Sequence, residues 1–494
     1  MTTTSAAARR DVVVVGSGPN GLAAAVTLAR AGLSVTVLEG QSTPGGGART
    51  LPLVGGSVTG AEGLLRDVCA AVPAAAPTSP FFAEFDLRAR GVELIVPELS
   101  YAQPLDDGAA GLAWRDVERT AEGLGADARR WRTLVGALAA EAEGVARIAL
   151  SDKRSLPPEA VTTRAGMAFA QAVAVLGSRL GDRYWRTETA PALITGVAAH
   201  AITPVPSLAA AGTAAYLGAL AHSRDGWPLV RGGIGEITRV LVEDLLAHGG
   251  ELVLDHPVRS RADLPPARTY VLDLHVRAAA TLFAEPWADR LSRLPLGDGV
   301  CKIDYVLSGP VPWANPAVGG AGTVHVCGTV EDMRRAESLV AEGRHAERPM
   351  VLVSDPAAHD TSRLGARGLR PLWTYAHVPG GSDRDVRAEV DAQVERFAPG
   401  FRDLVVDAVV TPASRMSTHN ASYPGGDISG GLISLWRMVA RPTLSWDPYR
   451  VARDVWLCSA STPPGPGVHG MSGLHAARRV LRSLGVRQLP SLSP

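Results

Sequence analysis

The run Asp11-Val-Val-Val-Val-Gly16-Ser17-Gly18-Pro19-Asn20-Gly21, closed by Ser34-Val-Thr-Val-Leu-Glu39, constrains this chain more than any other feature. Four consecutive valines suit a strand buried on both faces of a parallel sheet. Gly16 permits a sharp turn, Gly18 lets the backbone approach a pyrophosphate, and Gly21 lets helix and strand pack closely. A small-residue helix over 19–31 follows and stops at Gly32. Its N-terminus offers N–H groups and a positive dipole end to phosphate oxygens. Glu39 ends the second strand where a carboxylate accepts ribose hydroxyls. The segment predicts an adenine-dinucleotide site. Context carries that expectation, not spacing: with 53 glycines in 494 residues, three at these offsets arise by chance roughly 0.6 times. The spacing indeed recurs at Gly465, Gly467 and Gly470.

Lys+Arg and Asp+Glu both number 49, so no net field attracts nucleic acid. The four cysteines (Cys69, Cys301, Cys327, Cys458) form neither a CxxC pair nor a metal-ligand spacing. That argues for a reducing compartment, without metal or dithiol chemistry. A hydrophobic content of 46% with 20% charged residues suits a soluble chain with a sizeable core. Residues 1–10 are too short for a targeting segment, and 205–221 is interrupted by Pro206, Gly212 and Gly218. A cytoplasmic, soluble protein is expected.

After Glu39 comes Pro44-Gly45-Gly46-Gly47-Ala48-Arg49-Thr50. Such a loop can pass beneath a pyrophosphate, with Arg49 as a bidentate contact, or be a turn with a solvated arginine. Its position after the acid favours the ligand. From Gly91 the pattern changes: a strand over 92–96, then a hairpin turning at Asp106-Asp107-Gly108. Helix starts follow at Asp116 and Asp127, with alanine-rich, charge-poor helices at 160–181 and 205–222. Residues 81–225 read as an inserted α+β domain. The dinucleotide domain resumes over 226–300, where Ile237, Val240, Leu241 and Leu245 make a helical stripe. Strands at 300–310, 322–330 and 372–378 supply the floor of the second domain, 301–439. Finally Val455–Cys458 reads as a strand, Ser459–Met471 as a glycine–proline loop, and the rest as a helix. This end, 440–488, should rejoin the first domain, 11–80 and 226–300, and contact the other end of the same cofactor.

Together these segments resemble the phytoene-desaturase-like flavoproteins, which share a glutathione-reductase-type FAD fold with flavin amine oxidases. Within that group the chain is similar to a bacterial branch related to pyridine nucleotide-disulphide oxidoreductase domain-containing proteins. The resemblance also runs through Trp227–Gly233, Tyr423–Ile428, Arg441-Pro442, Asp447–Arg450 and Leu457–Ala477. It implies an α/β fold, a Rossmann-like FAD-binding domain with an inserted α+β substrate domain. It also implies FAD with adenosine on Glu39, pyrophosphate on Gly16–Gly21, and isoalloxazine under Val468, His469, Gly470 and Met471. Gly467 belongs to the same loop, and Val258 matches the position where backbone meets adenine. Two departures stand out: Gly47 follows the paired glycines where relatives often carry arginine, and Ser459-Ala460 replaces an acid or glycine near the ribityl chain.

Candidates for a base or substrate hydrogen bond are His469, His200, His377 and Tyr423, while Asp427 in Gly-Gly-Asp-Ile reads as a turn cap. His469 lies in the flavin loop; for His200 and His377 the reading as hydrogen-bonded structural histidines is favoured over a catalytic one. The expected activity is FAD-dependent dehydrogenation of a largely apolar small molecule, isoprenoid or carotenoid-like. Oxidation of an amine or secondary metabolite is the alternative enzyme, and a flavin-bound scaffold is the alternative from another class. The charge-poor helices expose enough apolar surface to line a tunnel or rest on a membrane. The residues leave the electron acceptor open.

Overall fold

The computed structural model describes residues 10–53, 61–152, 154–156 and 163–494. Residues 1–9 and the start of the 160–181 segment lie outside these. Strands from both ends and the middle of the chain build a five-stranded parallel sheet in the order 455–457, 267–272, 10–15, 35–38, 251–253. The first strand, Arg10–Val15, is central. Val12 and Val14 face a core with the helices Pro19–Arg30, Gly235–Ala247 and Met471–Ser483. Val13 and Val15 face the opposite core, with Val276–Thr281 and Pro286–Ser292. Both faces are covered, so the valine run does not alternate with polar residues. The predicted stripe Ile237, Val240, Leu241 and Leu245 is buried in the first core. Phe81, Phe82 and Phe85 join that core, and Leu94–Ile95 pairs with Leu229–Val230. Residues just past 81 thus pack against this sheet's helices.

The second sheet has seven strands in the order 405–411, 299–307, 370–378, 351–354, 321–326, 99–104, 110–114. Its neighbours are antiparallel except 321–326 beside 99–104. The hairpin turns at Asp106–Gly108, with Gly108 at φ +76°. Val351–Ser354 is too short, and the edge strand Val405–Thr411 too irregular, to be read from periodicity. A helix starts at Ala128 with Asp127 before it, but the Asp127 carboxylate makes no capping bond; it accepts from Arg186 N, Thr187 N and Thr187 Oγ1 and ties two segments together.

The helix Leu208–Ala221 is apolar around its whole circumference and packs within a core of Trp131, Leu134, Leu193, Ile194 and Val197. Most of this helix is thus core, whereas Arg164–Leu176 buries Ala165, Ala168 and Ala172 and leaves Met167 exposed. Gly212, Thr213, Tyr216 and Leu217 remain to line a cavity. Among the described residues no helix is long and apolar enough to cross a membrane.

Candidate active site

A cavity of about 780 Å³ opens at the carboxyl ends of the parallel strands and reaches the seven-stranded sheet. This is the place where a parallel α/β sheet presents loops and helix N-termini to a ligand. Gly16, Ser17, Gly18, Pro19, Asn20 and Glu39 line it, whereas Gly21 sits behind the wall. Glu39 is held by its own neighbours: Oε2 accepts from Ser17 N at 3.0 Å and Ser17 Oγ at 2.6 Å, and Oε1 from Gln41 N at 2.9 Å. The carboxylate still faces the cavity.

Opposite Glu39 stands Asp273, which the sequence reading passed over. It follows the strand Ala267–Leu272 as Glu39 follows Val35–Leu38, so an acid ends each strand flanking the first. Asp273 Oδ2 accepts from Gly21 N at 2.8 Å. Burial, with Glu39 nearby, raises its carboxyl to about 7. A methyl group on Gly18 would lie 2.5 Å from that Oδ2. The glycines therefore admit the Asp273 carboxylate to the helix N-terminus.

In the second glycine cluster, Gly46 and Gly47 line the cavity, whereas Gly45, Arg49 and Thr50 do not. Arg49 is buried and turned inward, donating to Gly46 O at 2.8 Å and to the carbonyl of His419. It is not a solvated arginine, and its Nε and Nη2 are committed to these carbonyls. Thr50 donates to Asp67 Oδ1 at 2.6 Å and accepts from Gly235 N at 2.9 Å, a structural bridge. Any side chain at Gly47 would collide with the hydroxyl of Tyr423, which fills the space beside this glycine.

Val258 lines the cavity beside Glu39, two residues after His256, whose N–H donates to Glu39 O at 2.8 Å. Ser459, Gly467, Val468 and His469 line the same cavity, while Gly470 and Met471 do not. The two chain ends thus share one cavity. His469 is a loop-builder: Nε2 donates to Gly465 O at 3.1 Å, and Nδ1 accepts from Met471 N at 3.0 Å. Burial lowers it to about 4, so it is a neutral ring with both nitrogens committed. His377 lies off the cavity, paired with Glu337 at 2.6 Å. His200 and Tyr423 do line it. His200 contacts His325 Nε2 to Nε2 at 2.8 Å, and burial lowers it to about 3. Burial also raises the Tyr423 hydroxyl.

Arg441 is a further lining residue that residue type alone did not mark. It is buried, donates to Ala460 O at 3.0 Å and to the carbonyl of Ser429, and is lowered to about 10 by burial. Asp427 accepts from Gly297 N, Ser429 N and Gly431 N, each at 2.8 Å, and so organises the adjacent loop. Aromatic walls come from Tyr216, Trp227, Trp373 and Tyr375. Beneath Trp373 lies the buried Lys302–Asp304 ion pair.

A family model described as an NAD(P)-binding Rossmann-like domain matches residues 14–65. Over nearly its whole length the chain is 23% identical to pyridine nucleotide-disulfide oxidoreductase domain-containing protein 2 of Rattus norvegicus, covering 96% of this chain and 94% of that one. A hydroxyneurosporene desaturase of Cereibacter sphaeroides is 62% identical, but over 47 residues, 10% of each chain. Among solved structures, putrescine oxidase bound to putrescine superposes with a TM-score of 0.59 at 17% identity, covering 97% of this chain and 99% of that one. Cyclohexylamine oxidase from Brevibacterium oxydans gives 0.59 at 14% identity, covering 97% and 100%. The chain has the α/β fold of these oxidases, with a Rossmann-like dinucleotide domain.

Proposed function

We propose that this protein is an FAD-dependent oxidoreductase that dehydrogenates a largely apolar small molecule. The carrying observation is the single cavity that joins Glu39 and the Gly16–Gly18 loop to the Gly467–His469 loop and continues to an aromatic wall. The residues fit FAD in three ways. The loop at Gly18 leaves no room for a Cβ, Glu39 presents a carboxylate beside it, and Asn20 Oδ1 is buried there without a partner among the described residues. FAD held there supplies acceptance of a hydride equivalent from a substrate C–H.

The chain's own part is binding and exclusion of water. Glu39 accepts hydroxyls, the N-terminus of Pro19–Arg30 faces negative charge, and neutral His469 shapes the loop at the far end. The aromatic and aliphatic walls desolvate the substrate. No acid–base side chain is required when hydride leaves directly. Delivery from a membrane surface is supported by an exposed apolar rim: Trp436 is 57% and Trp446 64% exposed, with Leu435 and Leu444 also exposed. Neighbouring Met438 and Val439 are exposed and also line the cavity. Amine oxidation is the second reading, favoured by Trp227, Trp373 and Tyr375 in the wall, since such rings hold ammonium groups.

Purified protein should be yellow and release FAD, and Glu39→Ala should weaken FAD retention by about 1.5–3 kcal/mol. A nicotinamide as sole tightly bound cofactor would falsify this. Anaerobic bleaching of the flavin by a hydrophobic polyene, faster with liposomes, supports the apolar reading; bleaching by alkylamines alone replaces it with amine oxidation.

A further inference from the structure

We propose that the His200 end of the cavity recognises a hydrogen-bond donor, a hydroxyl or protonated amine carried by an otherwise apolar substrate. This rests on the oxidoreductase reading and adds the polar group the substrate must bear.

The argument is a chain of tautomers. Gln103 is fully buried, and its Nε2 donates to Gly328 O at 2.8 Å. Its amide orientation is thereby set, and Oε1 is left as an acceptor without a partner among the described residues. That oxygen faces the gap beside Gly196. A methyl group on Gly196 would lie 2.6 Å from Gln103 Oε1 and 2.7 Å from His325 Nδ1. His325 is fully buried, and its Nδ1 likewise has no partner among the described residues. No hydrogen bond joins the two atoms, but the negative end of the amide dipole across this narrow gap favours the tautomer with the proton on Nδ1 over one with a lone pair there. His325 Nε2 then carries a lone pair and accepts from His200 Nε2–H across 2.8 Å. The remaining nitrogen of His200, Nδ1, is therefore proton-free.

His200 lines the cavity, and the described residues offer its Nδ1 no partner. Burial keeps both rings neutral. The cavity thus ends in a neutral acceptor, bordered by Trp227 with its ring centroid 5.5 Å away. Thr323, Tyr216 and Leu217 line the same cavity. Such a site takes an O–H or N⁺–H, leaves an acceptor unpaired against a hydrocarbon, and repels a carboxylate.

The full-length protein as purified is titrated with octan-1-ol, octylamine, octane and octanoate, reading quenching of tryptophan fluorescence, since Trp227 and Trp373 line the cavity. Octanol and octylamine should bind about five- to tenfold more tightly than octane, and octanoate more weakly than octanol. His200→Leu should bring octanol within about twofold of octane, and Gln103→Leu should reduce the preference partway, both with unchanged circular dichroism. Equal binding of octane and octanol by the native protein overturns the proposal. So does a preference that survives in His200→Leu. The readout is independent of turnover. A donor preference in protein that holds no FAD rejects only the oxidoreductase reading, and a yellow protein without preference rejects only the donor site.

Discussion

The same glycine spacing occurs twice, at 16, 18 and 21 and at 465, 467 and 470, and the two copies are different structures. In the first, only Gly16 has positive φ, +94°, while Gly18 is an extended cap at φ −63° and Gly21 lies inside the helix. In the second, all three are positive, at +120°, +133° and +67°, and the helix begins after the last. The first copy is limited by space: methyl groups at Gly18 and Gly21 would run into Asp273. The second is limited by torsion at its first two glycines, where methyl groups would meet nothing nearer than 3.8 Å at Gly465 and 3.1 Å at Gly467. One spacing therefore serves two physical needs: close approach in one loop and a left-handed backbone in the other.

The comparison breaks most readily at Gly21. Gly21→Val drives its Cβ into the Gly16 carbonyl, which cannot step aside, and should cost about 4 kcal/mol or abolish folded protein. Urea denaturation measures this, and a variant of native stability would remove the space argument. Gly467→Val should cost about 2–3 kcal/mol from torsional strain, with reduced FAD content. Adding His469→Ala should not restore it; recovery on trimming that ring would make the two loops alike.

Asp273 sharpens the contrast through pH. Its folded value of about 7 lies above the ordinary 3.8. Between those values the native chain keeps a proton that the unfolded chain has released, so stability falls as pH rises through that window. Asp273→Asn should flatten the fall by about 2 kcal/mol between pH 4 and 8, read from denaturation midpoints. An unchanged slope excludes Asp273 as its source. The smallest effect is expected at Gly18→Ala, about 1 kcal/mol, suppressed in an Asp273→Ala background because the obstacle is a side chain. A double-mutant cycle without coupling would reassign the constraint to the backbone.

Legibility followed sequence distance. The strand, turn, helix, strand and terminal acid of 11–39 lie within thirty residues of one another and were readable from periodicity and glycine placement. The return of the C-terminal loop was also readable, because a strand and a glycine loop announce themselves locally. Asp273 meets Gly21 across 252 residues, and His200 meets His325 across 125. Arg49 donates to the His419 carbonyl 370 positions away, a partner that its own loop does not announce. His469 looked available for chemistry until its own loop took both nitrogens.

By itself the sequence determined where backbone had to turn, which strands were buried on both faces, and that an acid would face the first glycine loop. Those features depend on sterics and burial between near neighbours. Only the tertiary structure decided which polar groups remain unpaired in the cavity. Hydrogen-bond saturation depends on whatever distant segment arrives beside a group, and a residue's type carries no record of that neighbour. Glu39 could be named from its strand; the lone pair on His200 is set by Gln103 and His325, on two paired strands of the second sheet.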